Sequence, residues 1–149
     1  MNFSKHLLDN FFSSATLFGT PLFYTLVVLL LIKINFSYAI RFMLALLVLE
    51  SVCAIIKFAY PQERPNPRPN KSFFERYDAA SFPSIHSARI LTLAIMANVF
   101  YRDNLLLLVS IALAISVGYS RIYLKHHYPR DVLGGFVIGA VISILVEVL

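Results

Sequence analysis

The 149-residue sequence has little of the charge that a soluble protein needs. Charged residues make up 14% of the chain, against about a quarter in typical soluble domains, whereas 58% of the residues are hydrophobic. Tryptophan is absent, and the single cysteine, Cys53, lies in an apolar stretch and is read as a small core residue. One cysteine excludes an internal disulfide and leaves the redox compartment undetermined. With a mean hydropathy of +0.72, the composition excludes an ordinary soluble domain and predicts an integral membrane protein.

The length limits the architecture, because a membrane-spanning helix needs roughly 20 apolar residues and only about five or six such helices fit. We therefore predict one membrane-embedded domain over residues 1–149, without a separate soluble domain. Its fold class is an all-α bundle of about five transmembrane helices with an N-terminal interfacial amphipathic helix. The expected segments are the interfacial helix at 2–19, two spans in 20–60, a polar loop at 61–84 and three spans in 85–149.

The N-terminal segment, residues 2–19, has apolar residues at helical intervals on one face, broken by polar ones. This pattern is typical of a helix that lies in the membrane interface. A cleaved signal peptide is the competing interpretation. Asp9 and Asn10 disfavour it, because they interrupt any apolar core of the required length.

Five apolar runs predict the spans, at residues 22–32, 38–60, 85–101, 104–124 and 131–149. Residues 61–83 carry five of the seven prolines and seven charged residues, and X-Pro steps disfavour helix, so an extended loop is expected there. Two series of small residues at four-residue intervals predict close helix packing: Gly135, Gly139 and Ser143, and Ala112, Ser116 and Ser120.

Polar side chains gather at the ends of four predicted spans, and alternation of the spans places these ends on one membrane face. Ionisable groups at membrane depth indicate function by default, because removing them from water is costly. The set comprises Lys57, Arg64, Ser84, His86, Arg89, Ser120, Arg121, His126, His127 and Asp131. Glu50 lies at mid-depth in the second span, and Arg89 either pairs with it or binds a second phosphate.

These residue types fit phosphoryl transfer without a metal ion. Cations and the free N–H groups at the start of the third span, near Ser84 and His86, can hold a phosphate. His127 can attack phosphorus if Asp131, four residues later, fixes its other ring nitrogen. His86 can then protonate the leaving alkoxide. His126 is out of register by one residue and is interpreted as a boundary histidine.

Three motifs occur in order across about half of the chain: KxxxxxxRP at Lys57, Arg64 and Pro65; PSIH at Pro83, Ser84, Ile85 and His86; and SRxxxxxHxxxD at Ser120, Arg121, His127 and Asp131. In this combination the sequence resembles the type 2 phosphatidic acid phosphatase superfamily of membrane lipid phosphatases. It departs from the family pattern at Ile85, where the middle motif has glycine. Because a branched side chain stiffens backbone that normally approaches phosphate closely, this departure bears on pocket shape.

The resemblance implies a site without metal or other cofactor. His127 would be the nucleophile that forms a phosphohistidine, Asp131 would orient it, and His86 would be the acid and then the base. The residues that would bind the phosphoryl oxygens are Lys57, Arg64, Ser84, Arg121 and the backbone amides near Ile85. Ser120, Arg89 and Glu50 are auxiliary candidates. The family fold has six spans, of which the first is here reduced to the interfacial helix.

The leading expectation is a phosphatase that removes a terminal phosphate from a membrane lipid, of the phosphatidate, phosphatidylglycerophosphate or undecaprenyl-diphosphate type. The resemblance implies a multi-pass protein of the cell membrane with an extracytoplasmic site. One alternative is a transporter or proton-relay protein that uses the buried His, Arg and Glu residues. Another is a zinc site at His86, His126, His127 and Asp131, which the nearby cations oppose.

The expected partners are a lipid phosphate and the bilayer. The net charge of +5 does not indicate nucleic acid, because the 13 Lys and Arg residues form no contiguous run. The sequence leaves open which lipid is the substrate, the preference between mono- and diphosphate, the membrane orientation and the oligomeric state.

Overall fold

The computed structural model describes residues 3–149, with side chains from Ser4 onward. Within this range helices are the only regular secondary structure, as predicted. The elements in chain order are α1 (Phe3–Ala15), a 3-10 helix (Thr16–Gly19), α2 (Pro21–Ile34), α3 (Phe36–Ala59), α4 (Phe73–Ala79), α5 (Ile85–Tyr101), α6 (Asn104–Tyr123) and α7 (Pro129–Val148).

The five predicted spans correspond to five helices, but these differ in length. Within the described residues, α3, α6 and α7 are each long and apolar enough to cross a membrane, with 24, 20 and 20 residues. α5 has 17 residues and stands at the short end of the range for a spanning helix, which begins at about 17. α2 has only 14 residues, and it qualifies as a span only together with the preceding N-terminal segment. The chain is therefore a multi-pass membrane protein.

The N-terminal segment is helical as predicted, although Asn2, where the predicted helix begins, lies outside the described residues. Its axis meets that of α2 at a bend of 52°. The bend falls at Thr20, which is extended because the following Pro21 disfavours helical backbone at that position. α1 packs on α6, where the Phe12 ring centroid lies 4.6 Å from that of Tyr123.

The loop between α3 and α5 contains a helix, so the expectation of an entirely extended segment is wrong at residues 73–79. The last proline before α4 is Pro69, and the next is Pro83, so no proline disturbs the helix. A capping box starts it: the Ser72 hydroxyl accepts a hydrogen bond from the Glu75 amide, and the Glu75 carboxylate accepts one from the Ser72 amide. The Phe82–Pro83 peptide bond is cis.

α5 lies at the centre of the bundle, where it packs on α7, α6 and α3. The prediction of close packing at Gly135 and Gly139 is confirmed: a Cβ atom on these residues would come within 2.3 Å of Ser84 O and 2.4 Å of Ala88 O. The second series is wrong at Ala112, which is exposed. Ser120 of this series is buried, together with Ala114, Val117, Gly118 and Arg121 of α6. Close contact between α5 and α7 places the start of α5 against the start of α7.

Candidate active site

Buried charged side chains meet where α3 and α6 end and where α5 and α7 begin. Lys57 and His127 are each 2% exposed, and Asp131 is completely buried. Arg64 in the loop after α3 and Arg121 in the last turn of α6 are also buried. Burying ionised groups costs several kcal/mol each unless partners compensate. The cluster thus concentrates more positive than negative charge in one small volume.

The carboxylate of Asp131 is held in place by two hydrogen bonds. Its Oδ2 accepts one from the Tyr128 amide at 2.8 Å and one from the hydroxyl of Ser81. His127 Nδ1 lies 3.7 Å from the same oxygen, which is an ion-pair distance and longer than a hydrogen bond. The ring nitrogen that faces Asp131 is therefore Nδ1, which leaves Nε2 as the nitrogen free for chemistry.

The two histidines of the α6–α7 connection lie in an environment that disfavours protonation. Burial lowers the pKa of His127 to about 4; Asp131 opposes this effect, and the charges of Arg64, Arg121 and Lys57 add to it. Burial and Arg121 lower the pKa of His126 to about 4 as well. Both rings are therefore neutral near pH 7, and a neutral imidazole has the lone pair that nucleophilic attack requires.

Lys57 and Arg64 are held by the loop between α3 and α5. Lys57 Nζ donates to the carbonyl of Ala80 and lies 5.5 Å from the ring centroid of Tyr77. Arg64 donates to the carbonyl of His126 at 3.4 Å, and its Nη2 lies 3.6 Å from a carboxylate oxygen of Asp78. Burial and the neighbouring charge of Arg68 lower the pKa of Arg64 to about 10, so it remains a cation.

Arg121 makes an unexpected contact with the N-terminal segment: its Nη1 donates to the Thr16 hydroxyl at 2.6 Å. The Nε atoms of Arg121 and Arg64 are buried, and neither has a hydrogen-bond partner among the described residues. Buried N–H donors normally have a hydrogen-bond partner, so the two Nε atoms suit a ligand that is rich in acceptor oxygens.

The start of α5 carries the residues of the middle motif. The Ser84 amide donates to the carbonyl of Asp131 at 2.9 Å, which joins the α5 and α7 starts, and the Ser84 hydroxyl accepts from Ser87 at 2.9 Å. Ile85 is the first helical residue and is buried in the apolar core. His86 packs against Gly19 so closely that a Cβ atom added to Gly19 would lie 2.5 Å from Cδ2 of the His86 ring.

A cavity of about 550 Å³ adjoins this cluster on the side of the loop. Its charged lining residues are Lys57, Glu63, Arg64, Arg68 and Arg76. Arg68 also pairs with Asp78, which therefore bridges two arginines. Lys57 and Arg64 therefore face a cavity whose charged lining is mostly positive.

Some residues singled out in the sequence lie apart from this cluster. The Ser120 hydroxyl donates to the carbonyl of Val117 within α6. Arg89 pairs with Glu50 at 2.5 Å and donates to the carbonyl of Gly19, which favours the ion pair over a second phosphate site. In residues 3–149, no three His, Cys, Asp or Glu side chains are grouped to hold a metal ion, so the zinc alternative has no geometric support.

Four residues at the cluster were not predicted from the sequence, namely Thr16, Gly19, Asp78 and Ser81. Thr16 contacts Arg121, and Gly19 contacts His86. The two residues of each pair are more than 60 residues apart along the chain, and no sequence pattern indicates such a contact. Asp78 stands among other loop charges that contact solvent, and its pairing with Arg64 depends on α4. The only indication in the sequence that Ser81 belongs to the site is its position just before the middle motif.

Comparison with known proteins gives a family match and two structural matches. The family model for the PAP2 superfamily matches residues 38–148. The structure of Aquifex aeolicus LpxE matches with a TM-score of 0.82 at 24% identity, covering 96% of this chain and 87% of that one. A transmembrane PAP2-type phosphatidylglycerolphosphate phosphatase from Bacillus subtilis matches with a TM-score of 0.79 at 23% identity, covering 95% and 75%. These likenesses establish the fold.

Two curated relatives match over shorter segments. Undecaprenyl-diphosphatase BcrC of Bacillus subtilis (strain 168) is 38% identical over 66 residues, 44% of this chain and 33% of the relative. Lipid A 4'-phosphatase of Bacteroides thetaiotaomicron is 38% identical over 58 residues, 39% of this chain and 26% of the relative. The matched part of the chain thus spans a third or less of each curated relative's length.

Proposed function

The chain belongs to the PAP2 superfamily, and from this membership we propose that it is a membrane lipid phosphatase acting through a phosphohistidine. One observation carries the proposal: His127, buried and neutral, lies beside the fixed carboxylate of Asp131 and within the field of Lys57, Arg64 and Arg121. A nucleophile surrounded by cations and free N–H donors suits attack on a phosphate ester.

In the first step, His127 Nε2 attacks phosphorus and forms a P–N bond, while the P–O bond to the lipid breaks. His86 donates its proton to the departing oxygen, which belongs to an alkoxide when the substrate is a monophosphate and to a lipid monophosphate when it is a diphosphate. In the second step, His86 takes a proton from water, the water oxygen attacks phosphorus, and the P–N bond breaks to release inorganic phosphate. His127 is thereby regenerated, and His86 is ready for the next cycle.

The cations stabilise the charge that develops on the phosphoryl oxygens. We assign this role to Lys57, Arg64 and Arg121, with the Ser84 hydroxyl and the amides at Ile85 and His86. The unpaired Nε atoms of Arg64 and Arg121 support the assignment, because an oxyanion would satisfy both. Asp131 acts by holding the imidazole orientation, and Ser81 holds Asp131.

The substrates of the matched relatives guide the proposed substrate class. Those relatives are named for undecaprenyl diphosphate, lipid A and phosphatidylglycerol phosphate. We place the substrate among lipid phosphates and diphosphates, in the cell membrane, with the active site on the extracytoplasmic face. Glu50 and Arg89, two of the residues that a transporter or proton-relay protein would use, pair with each other.

The test is phosphate release in detergent with excess chelator, on a panel of phosphatidate, phosphatidylglycerophosphate and undecaprenyl diphosphate. At least one lipid is expected to release phosphate at a rate that chelator leaves unchanged. His127→Ala should abolish release, whereas the matched His126→Ala variant, one residue away, should retain most of it. Full activity in His127→Ala, or loss of activity with chelator, would contradict the proposal.

A further inference from the structure

The helix α4 exposes two adjacent aromatic side chains, which is unusual for a polar loop. Phe73 is 66% exposed and Phe74 is 81% exposed. The capping box of Ser72 and Glu75 fixes the start of the helix at these residues, so their exposure belongs to ordered structure. Such large apolar surfaces in a loop mark contact with a partner or with lipid.

The apolar surface of α4 continues the outer surface of α3. The ring of Phe73 stacks on that of Phe58, with centroids 4.7 Å apart, and Phe58 stands in the last turn of α3. Leu47, Ile55 and Phe58 lie at helical spacing on the exposed side of this spanning helix. Phe73 and Phe74 therefore extend a lipid-facing strip beyond the end of α3.

One helical turn after these two aromatic residues, α4 contacts the cations that we assign to phosphate binding. Tyr77 lies under Lys57 Nζ, 5.5 Å from the ring centroid, and Asp78 lies 3.6 Å from Arg64. The residue that follows α4, Ala80, accepts the hydrogen bond of Lys57. α4 thus joins the outer apolar strip to the buried cluster through one helical turn.

We propose that α4 is an interfacial anchor, in which Phe73 and Phe74 insert into the headgroup–acyl boundary of a lipid leaflet and hold Tyr77 and Asp78 against Lys57 and Arg64. The partner is a lipid surface, because the strip continues a membrane-facing helix. The exposed cations Lys71 and Arg76 beside it suit anionic headgroups. The anchoring itself does not depend on the proposed phosphatase function; only its effect on turnover rests on that function.

The absence of tryptophan makes a direct test possible, since Phe74→Trp introduces a single fluorescent reporter. The full chain is reconstituted in vesicles of phosphatidylcholine and phosphatidylglycerol, with and without brominated acyl chains. Asn66→Trp, in the exposed proline-rich part of the same loop, is the matched control. The Phe74→Trp variant is expected to show blue-shifted emission that brominated lipid quenches, and Asn66→Trp neither. Unquenched emission from Phe74→Trp would overturn the anchor, including the case in which a second copy of the chain covers it.

The effect on turnover is tested by Phe74→Ser, with Phe74→Leu as the control that keeps an apolar side chain. Loss of one inserted aromatic ring should lower kcat/KM about tenfold for a long-chain lipid phosphate in vesicles. A water-soluble short-chain phosphate should be hydrolysed at the unchanged rate, and Phe74→Leu should behave as the parent on both substrates. Equal losses on both substrates would contradict the coupling. Quenching of Phe74→Trp in a chain that hydrolyses no lipid phosphate would leave the anchor standing and reject the proposed function instead.

Discussion

At the scale of single residues, the buried cluster holds three cations, Lys57, Arg64 and Arg121, around one fully buried carboxylate, Asp131. Asp78 adds a second negative charge only at the edge, where it is largely exposed. Like charges that are buried together repel, and an uncompensated buried charge is costly. A phosphate dianion would supply the missing negative charge, so an anion bound among these cations should stabilise the folded protein.

Orthovanadate, which resembles the five-coordinate transition state of phosphoryl transfer, should therefore raise the melting temperature in detergent. At a concentration about 100 times its Kd, a ligand that binds only the folded state adds about 2.7 kcal/mol. Arg121→Gln should reduce the shift strongly, whereas Arg102→Gln, at the exposed connection between α5 and α6, should leave it intact. A melting temperature that vanadate does not change would count against the cluster as an anion site.

The protonation of His127 provides a second test. Burial and the neighbouring cations favour the neutral ring, so its proton leaves at a lower pH than that of an ordinary histidine, and its pKa is about 4. An NMR titration of protein labelled at its four histidines should find two resonances that titrate near pH 4, those of His126 and His127, and the second should be missing from His127→Gln. Titration near pH 6.5 would contradict the effect of burial and of the cations on this ring.

Ile85 occupies the place of the family glycine without backbone strain, because it is a regular first residue of α5 and its side chain is buried in the core. We therefore expect Ile85→Gly to destabilise the protein by about 2–5 kcal/mol through the lost apolar contacts. Thermal or denaturant unfolding in detergent measures this effect, and a parallel rate measurement tests pocket shape. Unchanged stability would show that the isoleucine does not support the core.

At the scale of elements, the N-terminal segment forms one side of the cluster instead of lying apart from it. The 3-10 helix contributes Thr16, which accepts a hydrogen bond from Arg121, and Gly19, which packs on His86. α1 fixes this arrangement on α6, where the Tyr123 hydroxyl donates to Asp9 at 2.8 Å. The polar Asp9 that interrupts the apolar pattern thus has a structural partner.

Thr16→Val tests whether this element positions Arg121, because it keeps the shape of the side chain and removes the acceptor hydroxyl. A hydrogen bond to a charged group contributes about 1.5–3 kcal/mol, so kcat should fall about tenfold or more. Thr16→Ser retains the hydroxyl and should restore most of the rate. If both variants turn over as the parent does, the contact with Arg121 has no part in catalysis.

At the scale of the whole molecule, the sequence predicts the helices well where composition changes sharply at both ends. The bounds of α5 agree with the predicted 85–101, because Pro83 and Ser84 precede it and Arg102 and Asp103 follow it. Gly135 and Gly139 likewise indicate the close contact of α7 with α5, since small residues are what such contact requires.

The sequence does not predict what depends on contacts between distant segments. The prolines around α4 indicate an extended loop and not a helix, although Ser72 and Glu75 have the spacing of a capping box. The sequence allows Arg89 either to pair with Glu50 or to bind a second phosphate, and only the packing of the helices decides between the two. Thr16 is 105 residues from Arg121, and no local pattern joins them.

The phosphatase reaction that we propose for this molecule passes through a covalent bond between phosphorus and His127. It is measured most directly by acid- and base-quenching the enzyme during turnover of a radiolabelled lipid phosphate and then mapping the label. We expect label that acid removes and base does not, on the peptide that contains His127, and no label on the His127→Ala chain. Turnover without such label, or label on another residue, would contradict it.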